Sequence, residues 1–269
     1  MNKKIISASI DLFMKKNNVK EKYSEFLLDS FKLDNESYIF QGITKVKNMY
    51  FITAYKKGSN SIIFIYDEDF ILIKKTNLYN NAHVGGIAYD GKKTVYITDK
   101  HGTVSIFDLD EILKYDMVIP KIERIDVSDK LKNIFDQTAC AYITYFNNKL
   151  YLGNFNSKKD SILKIYDKDL KILIKEIPNF QDLVQGITLN NHYLIVSSSF
   201  GVVNKSLITI YKYDKNSNLT FIKSIKLPPM LEQIYLDEDK LICLFEINSY
   251  IKKDKYKDIL ILDLNSIIR

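Results

Sequence analysis

Acid–base chemistry near neutral pH calls for an imidazole or for a carboxyl group whose pKa has been displaced, and this 269-residue chain has only three histidines. His83 is the informative one. It stands in Ala82-His83-Val84-Gly85-Gly86, where two glycines leave room for a ligand to reach an imidazole. With Glu232 and Glu246 facing it, His83 would serve as general acid or base, or as ligand to a divalent cation, in a hydrolase or an acyl or amide transferase. His101, in Asp99-Lys100-His101-Gly102, and His192, after Asn191, fall in hairpin turns and lack metal-ligand spacing. No phosphate loop, GxSxG elbow, HExxH pair or Rossmann glycine pattern occurs. Cys140 and Cys243 each sit inside an apolar strand pattern and read as inert buried thiols.

The elements that must position these residues are set by internal repetition. Gln41-Gly42-Ile43-Thr44, Gly85-Gly86-Ile87-Ala88, Ala141-Tyr142-Ile143-Thr144, Gln185-Gly186-Ile187-Thr188 and Glu232-Gln233-Ile234-Tyr235 align with central isoleucines 44, 56, 44 and 47 residues apart. Five units fill the chain. Each continues through a polar turn into a second apolar run, such as Met49 to Ala54. A third run then ends in a bulky residue and an aspartate, as in Ile65-Tyr66-Asp67 and Ile165-Tyr166-Asp167. Short runs rich in Ile, Tyr, Phe and Val between Asp, Asn, Gly and Lys turns are antiparallel strands. A fourth run follows in the first four units but not in the fifth, which would leave an open sheet edge. Tyr23 to Leu33 resembles those fourth strands and supplies the missing one. The sequence therefore predicts an all-β fold, a five-bladed β-propeller closed by an N-terminal strand that completes the last blade. Its domain occupies residues 23–269, after an extension over 1–22 that is a short helix or an extra strand.

In such a ring the residues that open each first strand gather at one mouth of the central channel. Gln41, His83, Gln137, Gln185, Glu232 and Gln233 would form a polar funnel there. Loops between second and third strands share that face and bring lysines, Lys56, Lys205 and Lys252 among them, while the repeated aspartates crowd the opposite face. Those aspartates read as turn formers. The lysine face would steer anions toward the funnel.

Composition narrows the function classes. Hydrophobic positions make up 46% and charged positions 27% of the chain, enough for a sizeable core. No apolar run approaches the roughly 20 residues of a membrane span. A net charge of +6 is too small to point to nucleic acid. The basic start Lys3-Lys4 leads into an apolar stretch broken by Ser7, Ser9 and Asp11, so no cleavable signal is read. The compartment is left open: cytoplasmic on that ground, exported if the chain is already processed.

Seven segments also carry a resemblance. Phe40-Gln41-Gly42-Ile43, the run Ala82 to Ile87, Tyr142-Ile143-Thr144-Tyr145 before Lys149-Leu150-Tyr151, Val184-Gln185-Gly186-Ile187, Ser198-Ser199-Phe200-Gly201, the run Pro228 to Glu232, and Leu244-Phe245-Glu246 resemble, in order, signatures of a largely uncharacterised bacterial family of five-bladed single propellers, often exported. The resemblance implies that His83, Gln41, Gln185, Ser199, Glu232 and Glu246 mark a shared site. Val202 departs from the family, where arginine is frequent, as does Ile247-Asn248, which replaces a small step. The architecture is more remotely similar to plant and bacterial glutaminyl cyclase. That chemistry relies on tryptophans and on a glutamate before a Gly-Ile step, whereas this chain has no tryptophan and has Gly85 in the acid's place. The resulting expectation is a monomeric, non-catalytic module that binds a small polar or anionic ligand, or a partner segment, without a cofactor. The catalytic alternative uses His83 with Glu232 or Glu246, with or without a divalent cation.

Overall fold

The computed structural model describes residues 3–78, 83–99, 102–115, 123–126, 138–157, 161–214, 218–251 and 256–269. Gln137 and Lys252 lie outside them, as does His101. Five four-stranded antiparallel sheets account for the described strands. The first blade is β2 (Ile39–Val46), β3 (Met49–Tyr55), β4 (Ile62–Tyr66) and β5 (Leu72–Asn77); the second is β6 (Ile87–Tyr89), β7 (Thr94–Asp99), β8 (Thr103–Asp108) and β9 (Glu123–Asp126). The third is β10 (Thr138–Phe146), β11 (Lys149–Phe155), β12 (Leu163–Asp167) and β13 (Leu173–Ile177). The fourth is β14 (Val184–Leu189), β15 (Tyr193–Ser198), β16 (Ser206–Tyr213) and β17 (Leu219–Leu227). The fifth takes β18 (Leu231–Asp237), β19 (Lys240–Phe245) and β20 (Ile259–Asp263), with β1 (Leu27–Phe31) as its outer strand.

The first strands of neighbouring blades meet in a closed cycle, β2 to β6, β10, β14, β18 and back to β2. That cycle is the wall of the central channel. Middle strands lie between two neighbouring blades and are covered on both sides, so β4 is buried at every position, Ile62 to Tyr66. Outer strands show the half-buried pattern instead, with Ile73, Leu173, Ile174 and Phe221 exposed. The core is accordingly a ring of interblade clusters.

Ring closure pairs Phe31 with Ile259, Ser30 with Leu260 and Asp29 with Ile261. Asp258, buried and one residue before β20, reinforces it. Its carboxylate accepts from Leu33 N at 2.9 Å, meets Lys32 Nζ at 3.0 Å and accepts from Asn248 Nδ2 at 2.6 Å, while its N–H donates to Phe31 O at 2.9 Å. Ahead of the closing strand, α1 (Lys3–Lys16) and α2 (Val19–Ser24) place Ile6, Ile10, Val19 and Tyr23 in the core shared with blades four and five.

The repeated aspartates form caps and turns. Asp67 accepts from the N–H groups of Asp69 and Ile71, Asp167 from those of Lys171 and Ile172, and Asp214 from that of Asn218. Asp108 and Asp263 instead cap the short helices α3 (Leu109–Lys114) and α4 (Leu264–Ile268). A carboxylate that accepts backbone N–H groups at a turn is locally satisfied.

Candidate functional site

The mouth residues owe their orientation to bulges. Register slips between Phe40 and Gly42 in β2, between Val184 and Gly186 in β14, and between Leu231 and Ile234 in β18. Gln41, Gln185, Glu232 and Gln233 occupy those slips. A bulge sets two residues against one on the partner strand and re-aims a side chain that the pleat would hold elsewhere.

Gln233 forms the floor. Its Oε1 accepts from Ile43 N at 3.2 Å and Ile87 N at 2.9 Å, and its Nε2 donates to Ile87 O at 2.9 Å and Ile143 O at 3.0 Å. One amide thus joins blades one, two, three and five across the axis. Its bonding capacity is spent on backbone, so it offers nothing to a ligand. Glycines at the equivalent place make the space. A methyl group on Gly42 would stand 2.8 Å from Gln233 Oε1, and one on Gly186 2.7 Å from Gln233 Cα.

Above the floor, Glu232 and Glu246 meet in hydrogen-bonding contact. Glu232 is 5% exposed. Burial and the neighbouring Glu246 raise its pKa well above the ordinary carboxyl range, and burial lifts Glu246 to about 7. Two adjacent carboxyls removed from water cannot both ionise at low cost, so they share a proton. Gln41 Nε2 donates to Glu246 Oε2 at 3.2 Å, and the Tyr250 hydroxyl also bonds Glu246. Glu246 itself opens the 3-10 turn Ile247–Ser249, and its N–H donates to Met230 O at 3.0 Å.

His83 lies on the same mouth but not against the acids. Its ring packs on Tyr55 at 4.5 Å between centroids, and Tyr55 bonds Tyr250. The imidazole opens to solvent, yet surrounding protein strips enough hydration to lower its pKa. A carboxylate in contact would have raised it instead. The described arrangement is therefore a chain, His83 to Tyr55 to Tyr250 to Glu246 to Glu232, in which two tyrosines intervene.

The other expected residues divide. Gln185 Nε2 donates to Ser199 O at 3.3 Å. Ser199 Oγ accepts from Met230 N at 3.1 Å and from Ser206 Oγ at 3.0 Å, which holds the turn where Met230 takes φ of +66°. Ser199 is a brace for the Glu232 strand. Lys56 sits over the Tyr38 ring at 5.4 Å and Lys205 is exposed. Among the described residues no group of three or more His, Cys, Asp or Glu could hold a metal ion. Both cysteines are buried, and burial raises their thiol pKa values.

Tyr55 and Tyr250 are the residues that sequence reasoning missed. Ile43 pairs Ile52, Ile143 pairs Leu152, Ile187 pairs Val196 and Ile234 pairs Cys243. Counting three residues onward from each second-strand partner gives Tyr55, Phe155, Ser199 and Glu246. The repeat alignment, carried to the exits of the second strands, would have found Tyr55.

Glutaminyl cyclase of Myxococcus xanthus superposes with a TM-score of 0.58 at 11% identity, over 88% of this chain and 95% of that one. The likeness is one of fold. Raptor of Chaetomium thermophilum gives 0.44 at 8% identity, over 82% of this chain and 18% of the other; a mitotic checkpoint complex chain gives 0.49 at 12%, over 86% and 76%. No protein-family model and no curated protein matches the sequence. The five-bladed propeller and its remote similarity to glutaminyl cyclase stand together.

Proposed function

We propose that this propeller is a non-catalytic binding module whose blind funnel takes a small polar ligand. The observation that carries the reading is a cluster of polar side chains from three blades, in which His83 meets Tyr55, Tyr55 meets Tyr250, and Tyr250 and Gln41 meet the Glu246–Glu232 pair, beside the Gln233 amide that ties the first strands together. A few polar groups brought together from separate elements can fix the orientation of a bound molecule. Ser199, the one serine among the expected site residues, is engaged in bracing the Met230 turn. A methyl group on Gly85 would stand 2.4 Å from Ala141 O, so the position has no room for a side chain.

A second reading is favoured by one observation. A carboxyl raised to about 7 is tuned for proton transfer at neutral pH. Glu246 with Glu232, and His83 through Tyr55, would then serve a hydrolase or an acyl or amide transferase, and a divalent cation at the pair belongs to that reading.

A thermal-shift panel of sugars, amines, nucleotides and peptides against wild type and His83→Ala separates the two. Binding alone predicts a saturable stabilisation by at least one compound that the variant loses, with the compound recovered unchanged. Recovery of a cleaved or transferred product supports the second reading. A panel with no hit sensitive to His83→Ala removes the first.

A further inference from the structure

We propose that the group this funnel receives is a primary ammonium, held by the buried Glu232 carboxyl, the Glu246 carboxyl in contact with it and the Gln41 amide that reaches Glu246 at 3.2 Å. The inference rests on the binding-site reading above and narrows its ligand. Three features of the site support it.

Glu232 is almost wholly buried, and the side chain that meets its carboxyl is another acid. Among the described residues, no lysine, arginine or histidine pairs with either carboxyl. The groups acting on Glu246 are Gln41 from β2, Tyr250 from the 3-10 turn and Glu232 from β18. Tyr55 from β3 feels both acids, and Tyr250 does as well. Both tyrosines stay neutral because burial and the nearby acids raise their pKa values, and His83 beyond them stays neutral because desolvation lowers its own. The described lining thus supplies hydrogen bonds but no positive charge.

Ligand classes can be ranked on that lining. An anion would meet like charge. A neutral alcohol would hydrogen-bond, but it brings no charge to compensate the carboxylate that forms when the pair gives up a proton. A divalent cation wants six or more oxygen ligands, and no metal-holding group of three acids, histidines or cysteines occurs among the described residues. An ammonium carries one positive charge and three N–H donors, which suits two carboxyls and an amide. The Tyr55 and Tyr250 rings beside them add faces that attract a cation.

The exchange of a proton for the ammonium balances. Below pH 7 both carboxyls carry protons; one O–H bond breaks, its electron pair stays on oxygen and that proton passes to bulk water, while the second proton stays shared by the pair and the ammonium balances the single negative charge. Affinity must therefore rise with pH while the pair is still protonated.

The test is calorimetric titration of the whole protein with n-butylamine hydrochloride and with 1-pentanol, its neutral counterpart, at pH 6, 7 and 8 in two buffers of different ionisation heat. Butylammonium is expected to bind at least about tenfold more tightly than pentanol, to release about one proton per ligand at pH 6, and to gain roughly tenfold in affinity per pH unit below 7. Glu232→Gln should weaken butylammonium about tenfold or more, and Glu246→Gln should flatten the pH dependence. Equal affinity for the two probes, or ammonium binding without proton release, overturns the ammonium assignment and leaves a polar-ligand site in place. Silence toward both probes overturns it too, and when the wider panel also shows no His83-dependent hit the binding site falls with it. Thermal unfolding of each variant confirms folding, and the wild-type pH series decides the question without them.

Discussion

Glu232 and Gln233 are consecutive residues on one bulge, yet they meet opposite fates. Gln233 turns into the axis and finds four backbone partners across three other blades; Glu232 turns to the mouth and finds only a second acid. Both are buried. A buried polar group with every valence satisfied makes the structure rigid, whereas one left under-satisfied stores a demand that a ligand can meet. The Gln233 amide is thus a rivet, and the Glu232–Glu246 pair is the place where the proposed ligand would supply charge.

The largest test breaks the rivet. Gln233→Ala removes four hydrogen bonds and leaves the N–H groups of Ile43 and Ile87 and the carbonyls of Ile87 and Ile143 facing a gap on the axis. Chemical unfolding should show a loss of about 3–5 kcal/mol. A loss under ~1 kcal/mol would mean that water replaces the amide without penalty, and the contrast with Glu232 would collapse.

Next in size is the latch, a second buried group of the satisfied kind. Asp258→Ala leaves Leu33 N and Asn248 Nδ2 without their carboxylate and Lys32 without its counter-ion. Breaking a buried pair from one side costs roughly 3 kcal/mol, reduced here because Lys32 is partly exposed. Hydrogen exchange should locate the loss in β1 and β20. Protection falling evenly over all blades would contradict a local latch.

Much of the satisfied architecture was legible in the sequence, because it recurs. Five aligned Gly-Ile-like steps, five strand-ending aspartates and a fourth strand displaced to the N-terminus specify a closed ring through patterning alone. The mouth was only half legible. Glu232 and Glu246 were visible as acids on the right strands, but their contact comes from the bulge after Leu231 and the 3-10 turn after Phe245, and neither has a signature in residue type. Gln233 was read as a funnel group since it shares its step with Glu232. Only the register slip shows that the two diverge. Two tyrosines stand between His83 and the acids, Tyr55 from the exit of a second strand and Tyr250 from the 3-10 turn, and both lie outside the segment that the repeats align.

The smallest effect has the opposite sign and tests the acid pair. Burial raises both carboxyl pKa values, with Glu246 near 7, while in the unfolded chain each returns to the ordinary range near 4.5. Between those limits the native state keeps protons that the unfolded state has released, so native stability must fall as pH rises through this window. Glu232→Gln keeps the shape, removes one acid and frees Glu246 from its like-charged neighbour. The variant should come closest to wild type near pH 4, where the carboxyls are mostly protonated in either state, and exceed it by about 2 kcal/mol at pH 8. Urea unfolding of both proteins across pH 4 to 8 checks this. A variant less stable at pH 8 would mean that a cation of the protein already compensates the pair, and Glu232 would then join Gln233 among the satisfied groups.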